Sequence, residues 1–230
     1  MKLTATVFSY GPYLAAFAFA GAWLYRWGIL RNQSAAEADD IRPEAEGALA
    51  LGFTTLFLGH LTTALAPGAM RVLLADPGRV TVIETAGMVG ALLFAFGVGA
   101  RLLSRVRALR EGRPRQGSAV LVLGLLFVVC LSGLYLTVAY RWITVWYAYI
   151  FAPYLRSLAV TEPVTASIVA SPFAVKVHAL LVMALGALWP MAGVGLDEIF
   201  PLRAVARRYV VRADARAHRA TAGAVAEERP

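Results

Sequence analysis

The chain has 230 residues, 59% of them hydrophobic and only 16% charged. That balance is too apolar and too charge-poor for a soluble domain and fits a polytopic membrane protein. The net charge of +8 lies between the apolar stretches and in the C-terminal tail; it bears on membrane topology first, and no nucleic-acid partner is inferred from it.

Crossing the hydrocarbon core takes about 20 apolar residues. Five stretches qualify: Val7–Trp27, Gly47–Ala66, Thr81–Leu103, Ala119–Tyr140 and Pro172–Leu196. The first follows a single Lys2, has no small-residue cleavage site and reads as a retained helix. Pro67-Gly68 ends the second, and Asp76-Pro-Gly78 makes a turn before the third. Gly97-Val-Gly99 lies within the third and reads as packing. Cys130, the one cysteine, lies mid-membrane in the fourth and also reads as packing.

Between the fourth and fifth stretches, Trp142, Trp146, Tyr147, Tyr149, Phe151 and Tyr154 crowd one segment. They suit an aromatic belt at headgroup level, and equally a short interfacial helix roofing a site for a lipid-soluble substrate. Ser171-Pro172 opens the fifth helix as Ncap and N1. From about Ala213 the tail is rich in Ala, Arg and Glu without apolar periodicity, and reads as disordered or frayed helix. The expectation is an all-α five-helix membrane bundle over residues 1–212 and a basic tail over 213–230.

Lys and Arg set the orientation. One side collects Arg26, Arg31, Arg42, the run from Arg101 to Arg115 and the tail arginines, sixteen of the 22 basic residues. The other holds Lys2, Arg71, Arg79, Arg141, Arg156 and Lys176. The richer side is expected to be cytoplasmic, with the N-terminus outside and the C-terminus inside. The arginines from 101 to 115 could also meet anionic lipid or an acidic partner face.

Two histidines, His60 and His178, lie in the apolar body; the third, His218, is in the tail. Each of the two sits six residues from the outer end of its stretch, about 9 Å along a helix. Ionisable residues inside a membrane are functional candidates, and two imidazoles at one depth on different helices suit the iron of a b-type haem. The competing reading is hydrogen bonding between helices. No Cys, Asp or Glu lies at that depth, so a zinc site is not expected. Gly59, Thr62 and Thr63 flank His60, with Gly52 two turns earlier. Small residues let a flat macrocycle approach a helix, although close helix packing uses them as well.

From roughly Tyr10 to Arg212 the chain resembles the gamma subunit of membrane-bound respiratory nitrate reductase, a five-helix di-haem cytochrome b. The resemblance rests on Leu58-Gly-His60, on Tyr154-Leu-Arg-Ser157 through Pro172-Phe-Ala-Val-Lys-Val-His178, on Leu188-Trp-Pro190 and on Pro201-Leu-Arg203, in that order and spacing. It implies that His60 and His178, with Gly59 beside them, hold the haem nearer the outside. The second haem's ligands would fall at Ala50 and Leu196, which cannot bind iron, and His218 is no substitute. One haem b is therefore expected.

The resemblance also implies quinol oxidation near the outer haem. The basic residue nearest the family's quinone-linked lysine is Arg79, which cannot exchange protons as lysine can. Glu84, five residues on, could accept a quinol proton. Interfacial snorkelling for Arg79 and a first-turn helix carboxylate for Glu84 are the alternatives. The chain is then expected in the bacterial cytoplasmic (inner) membrane, as an electron-transfer anchor beside iron-sulfur and/or molybdenum subunits, not catalytic alone. A haem-free scaffold or assembly subunit is the alternative. A transporter would want broken helices or inverted repeats, and neither is seen.

Overall fold

A computed structural model of the chain describes residues 2–29, 43–112 and 117–192. Leu196, His218 and the basic tail lie outside the described residues. The chain runs through α1 (Lys2–Ile29), α2 (Pro43–Leu65), α3 (Pro67–Leu73), α4 (Pro77–Arg110) and α5 (Gly117–Ala139). It continues through α6 (Ile143–Trp146), a π-helical turn (Tyr147–Phe151), α7 (Ala152–Ala159), α8 (Ala166–Ala170) and α9 (Phe173–Leu188). A 3₁₀ turn, Trp189–Ala192, tightens the end of α9. Among the described residues there is no strand, and five helices, α1, α2, α4, α5 and α9, are long and apolar enough to cross a membrane.

The helix ends follow local chemistry. Pro67 does more than end α2: the chain breaks at Ala66 and restarts with proline in the first turn of α3, where its missing N–H is no loss. Asp76 caps α4 by accepting the Arg79 N–H at 2.9 Å. This cap starts α4 four residues earlier than the apolar pattern suggests. At its far end α4 runs on to Arg110 and takes in four of the six arginines of the run. Arg101 and Arg105 are 4% and 0% exposed, so these two long side chains lie within the bundle and not in a loop. Pro172 caps α9 and Phe173 is its first residue, one position later than the expected opening.

The spans alternate in direction and pack in the order α2, α4, α5, α9, α1. α2 and α9 share no comparable backbone packing, so α2, α4, α5 and α9 enclose an interior whose open seam lies between α2 and α9. The short helices α3, α6, α7 and α8 gather at one end of the bundle, here the capped end; Arg101 and Arg105 mark the other, the arginine end. α2 and α4 cross very closely. A Cβ at Gly52 would stand 2.4 Å from the Phe94 nitrogen, and one at Gly97 would stand 2.6 Å from Leu49 Cβ. Towards the arginine end the interior is filled by Leu49, Phe94, Val98, Leu123 and Leu126, with Phe53, Phe127, Leu185 and Trp189 packed against them.

α1 is held at both ends. Pro12 lies inside α1 and has no N–H for the Phe8 carbonyl. That carbonyl instead accepts from the Tyr154 hydroxyl at 2.6 Å, which restores the pairing a bilayer requires. Tyr13 returns the contact by donating to the Leu158 carbonyl at 2.9 Å. At the arginine end Arg26 Nη1 reaches the Pro190 carbonyl at 3.5 Å.

Candidate functional site

His60 lies five residues before the end of α2 at Leu65, and His178 five residues after the start of α9 at Phe173. The ends are antiparallel, so both imidazoles stand about 7.5 Å below the capped end along their helices. The helix bounds set both histidines five residues from the capped end, on two helices that are not packed together along the seam.

Each ring has one nitrogen committed within the protein. His60 Nδ1 lies 2.8 Å from the Leu56 carbonyl one turn earlier. A carbonyl only accepts, so the neutral ring carries its proton on Nδ1. His178 Nδ1 lies 2.8 Å from Ser132 Oγ on α5. The same hydroxyl lies 2.8 Å from the Val129 carbonyl and has one proton to give. When that proton goes to Val129, the serine oxygen accepts from His178 and this ring too is the Nδ1–H tautomer. In that arrangement both Nε2 lone pairs are left for another partner.

The two histidines sit in unlike surroundings. A Cβ placed on Gly59 would meet nothing within 4 Å, and Gly59 and His60 are both exposed. A Cβ on Gly133 would stand 3.2 Å from His178 Cε1, so glycine lets α5 press against the imidazole. Thr63, fully buried, turns its hydroxyl to the Gly59 carbonyl at 2.8 Å. Gly52 belongs to the α2–α4 crossing, which assigns it to helix packing. Among the described residues no three His, Cys, Asp or Glu side chains gather as a metal-binding set.

Above His60 sits Tyr147, from the aromatic segment. The two rings meet edge to face at 5.3 Å between centroids, and the phenol approaches the His60 carbonyl at 3.4 Å. Burial raises the Tyr147 pKa, which keeps the phenol neutral. Tyr147 stacks on Phe151 at 5.6 Å, and Arg71 ties the π-helical turn to α3 through the Ala148 carbonyl and the Tyr149 ring. The aromatic segment is thus folded into short helices that pack over the His60 end of α2. π-helical turns recur at functional sites.

Arg79 is exposed in the first turn of α4. Glu84 is half-buried and accepts the Thr144 N–H at 3.2 Å, anchoring α6 to α4. Neither contact joins Arg79 or Glu84 to the histidines. Ala50 is buried within α2, next to Leu49 of the packed interior. The sequence pointed to His60, His178 and Gly59; it gave no sign of Ser132 or Gly133, since small residues in an apolar helix read as packing.

A sequence profile of the nitrate reductase gamma subunit matches residues 4–214. A search of individually curated proteins finds no match. With five helices able to span a membrane and a profile match along nearly its whole length, the chain belongs to the nitrate reductase gamma subunit family.

Proposed function

We propose that the chain is the cytochrome b subunit of a respiratory complex, holding one haem b between His60 and His178 and exchanging electrons with a quinone. What supports this reading is the pair of imidazoles five residues from the facing ends of α2 and α9, each with Nδ1 2.8 Å from an oxygen of the protein that can accept its proton. Iron takes the unprotonated nitrogen, and a protein acceptor on the other nitrogen fixes tautomer and ring orientation. A haem bound there supplies one-electron chemistry at its iron. The chain's own residues would orient the two rings, with no side chain at Gly59 and with Tyr147 packed against His60.

One haem, not two, suits the interior. Ala50 offers no ligand, and the neighbouring interior is occupied by Leu49, Phe94, Leu123 and Leu126. With the basic side cytoplasmic, the capped end faces outward, and the quinone meets the chain there with Arg79 and Glu84 near its entrance. The redox partner then lies on the outer side, or brings a cofactor deep into the membrane. Other subunits of a nitrate reductase-type complex, with iron-sulfur or molybdenum centres, are the partners this implies, in a bacterial inner membrane.

A second reading is favoured by the Ser132–His178 bond, which already ties α5 to α9: the histidines serve packing in a haem-free scaffold. A pyridine haemochrome assay on protein purified from membranes separates the two. The haem reading expects one haem b per chain, with b-type absorbance abolished in His60→Ala and in His178→Ala. Zero haem in the wild type supports the scaffold, and two overturns the single-haem reading.

A further inference from the structure

We propose that Ser132 is a positioning residue for His178: its hydroxyl accepts the Nδ1 proton and so fixes which nitrogen of His178 is left unprotonated. The inference deepens the haem reading above, and its central claim about the tautomer stands on the protein alone. Ser132 Oγ is 2.8 Å from both the Val129 carbonyl and His178 Nδ1. With the single hydroxyl proton on the Val129 carbonyl, the serine oxygen accepts from His178, which then supplies the proton for that contact.

Gly133, the next residue, completes the grip. Its missing side chain lets the α5 backbone come against the ring, where a Cβ would lie 3.2 Å from Cε1, 3.8 Å from Nδ1 and 3.9 Å from Nε2. Ser132 therefore sets the rotation of the imidazole about its own axis, while Gly133 sets its distance from α5. The two histidines reach the same tautomer by different means. His60 uses a backbone carbonyl on its own helix, which no side-chain substitution removes. His178 depends on a side chain from a neighbouring helix, so only its tautomer can be altered by mutation at the acceptor.

The acceptor also tunes the ring. A hydrogen-bond acceptor on Nδ1–H raises the electron-donating power of Nε2. Removing it makes His178 a weaker donor and favours the reduced form of a bound iron. The test compares wild type, Ser132→Ala, Ser132→Thr and Ser132→Cys in detergent or nanodiscs, by redox titration of the b-type absorbance and by ¹⁵N NMR of histidine-labelled protein. With three histidines in the chain, His60 and His218 variants assign the His178 resonances.

In Ser132→Ala the midpoint potential is expected to rise by an amount equivalent to roughly tenfold in the reduced-to-oxidised ratio, about 59 mV for one electron. Thr, which keeps the hydroxyl, should restore the wild-type potential, and Cys should fall between. In haem-free protein, His178 should be the Nδ1–H tautomer in the wild type and a mixture in Ser132→Ala. Equal potentials and equal tautomers in wild type and Ala would overturn the proposal, as would a Thr variant that behaves like Ala. If the wild type binds no haem, the haem reading falls while the NMR comparison still decides the role of Ser132.

Discussion

At Tyr154 a single hydroxyl replaces a backbone donor that proline removed, and its loss should be felt in full. The ring is 1% exposed, so Tyr154→Phe leaves the Phe8 carbonyl buried without a partner, at a cost of about 1–3 kcal/mol. Pro12→Ala returns the helical N–H to that carbonyl. Tyr154→Phe should therefore destabilise the Pro12→Ala protein less than the wild type, a coupling that a double-mutant cycle of unfolding in detergent measures. Burial, and then the nearby Tyr13, push the Tyr154 phenol from 10.0 up to about 12. The folded state thus prefers the neutral phenol. Its contribution is complete below pH 10 and is lost as the pH rises toward about 12. An alkaline unfolding step in that window should disappear in Tyr154→Phe.

Between elements, the α2–α4 crossing depends on two glycines facing backbone or buried Leu49 atoms that cannot swing aside. Gly52→Ala or Gly97→Ala should force the helices apart and destabilise by about 1–3 kcal/mol or more, read as a lower midpoint in a detergent melt. Glu84 links α4 to α6 in a similar way. Glu84→Gln keeps an oxygen for the Thr144 N–H, and Glu84→Ala does not. If Glu84 acts through that bond, hydrogen exchange at Thr144 should quicken in Ala and stay slow in Gln; if it takes quinol protons, Gln should be as slow as Ala in quinol-linked haem reduction. The spans themselves were legible in sequence because apolar length alone marks them. The helix extensions were not: Asp76 caps a helix that begins with Pro77-Gly78, a pair that also reads as a turn, and Arg101 and Arg105 look like loop charge until their packing is known.

Over the whole molecule, the interior is two unlike halves joined end to end. The half nearer the capped end carries polar atoms of Thr63, Ser132 and His178; the half nearer the arginine end is closed by aliphatic and aromatic side chains. Ala50→His should therefore add no haem and should weaken the fold by overpacking, by about 1–3 kcal/mol; haemochrome stoichiometry and a melt check both. The matched depth of the two histidines was countable from the sequence, since helix rise converts residue number to height. Ser132 was not, because α5 is apolar almost all round and no stripe tells which side faces inward. Height along a helix is written in the numbering, but rotation about its axis is decided by neighbours.

The Tyr154–Phe8 bond has a consequence for the order in which the protein is made. Tyr154 follows Phe8 by 146 residues, so α1 leaves the ribosome long before its missing donor exists. Until α7 is synthesised, the proline-freed carbonyl must rely on the insertion machinery or the lipid–water boundary. α1 is consequently secured late. A chain truncated before Tyr154 carries that gap permanently.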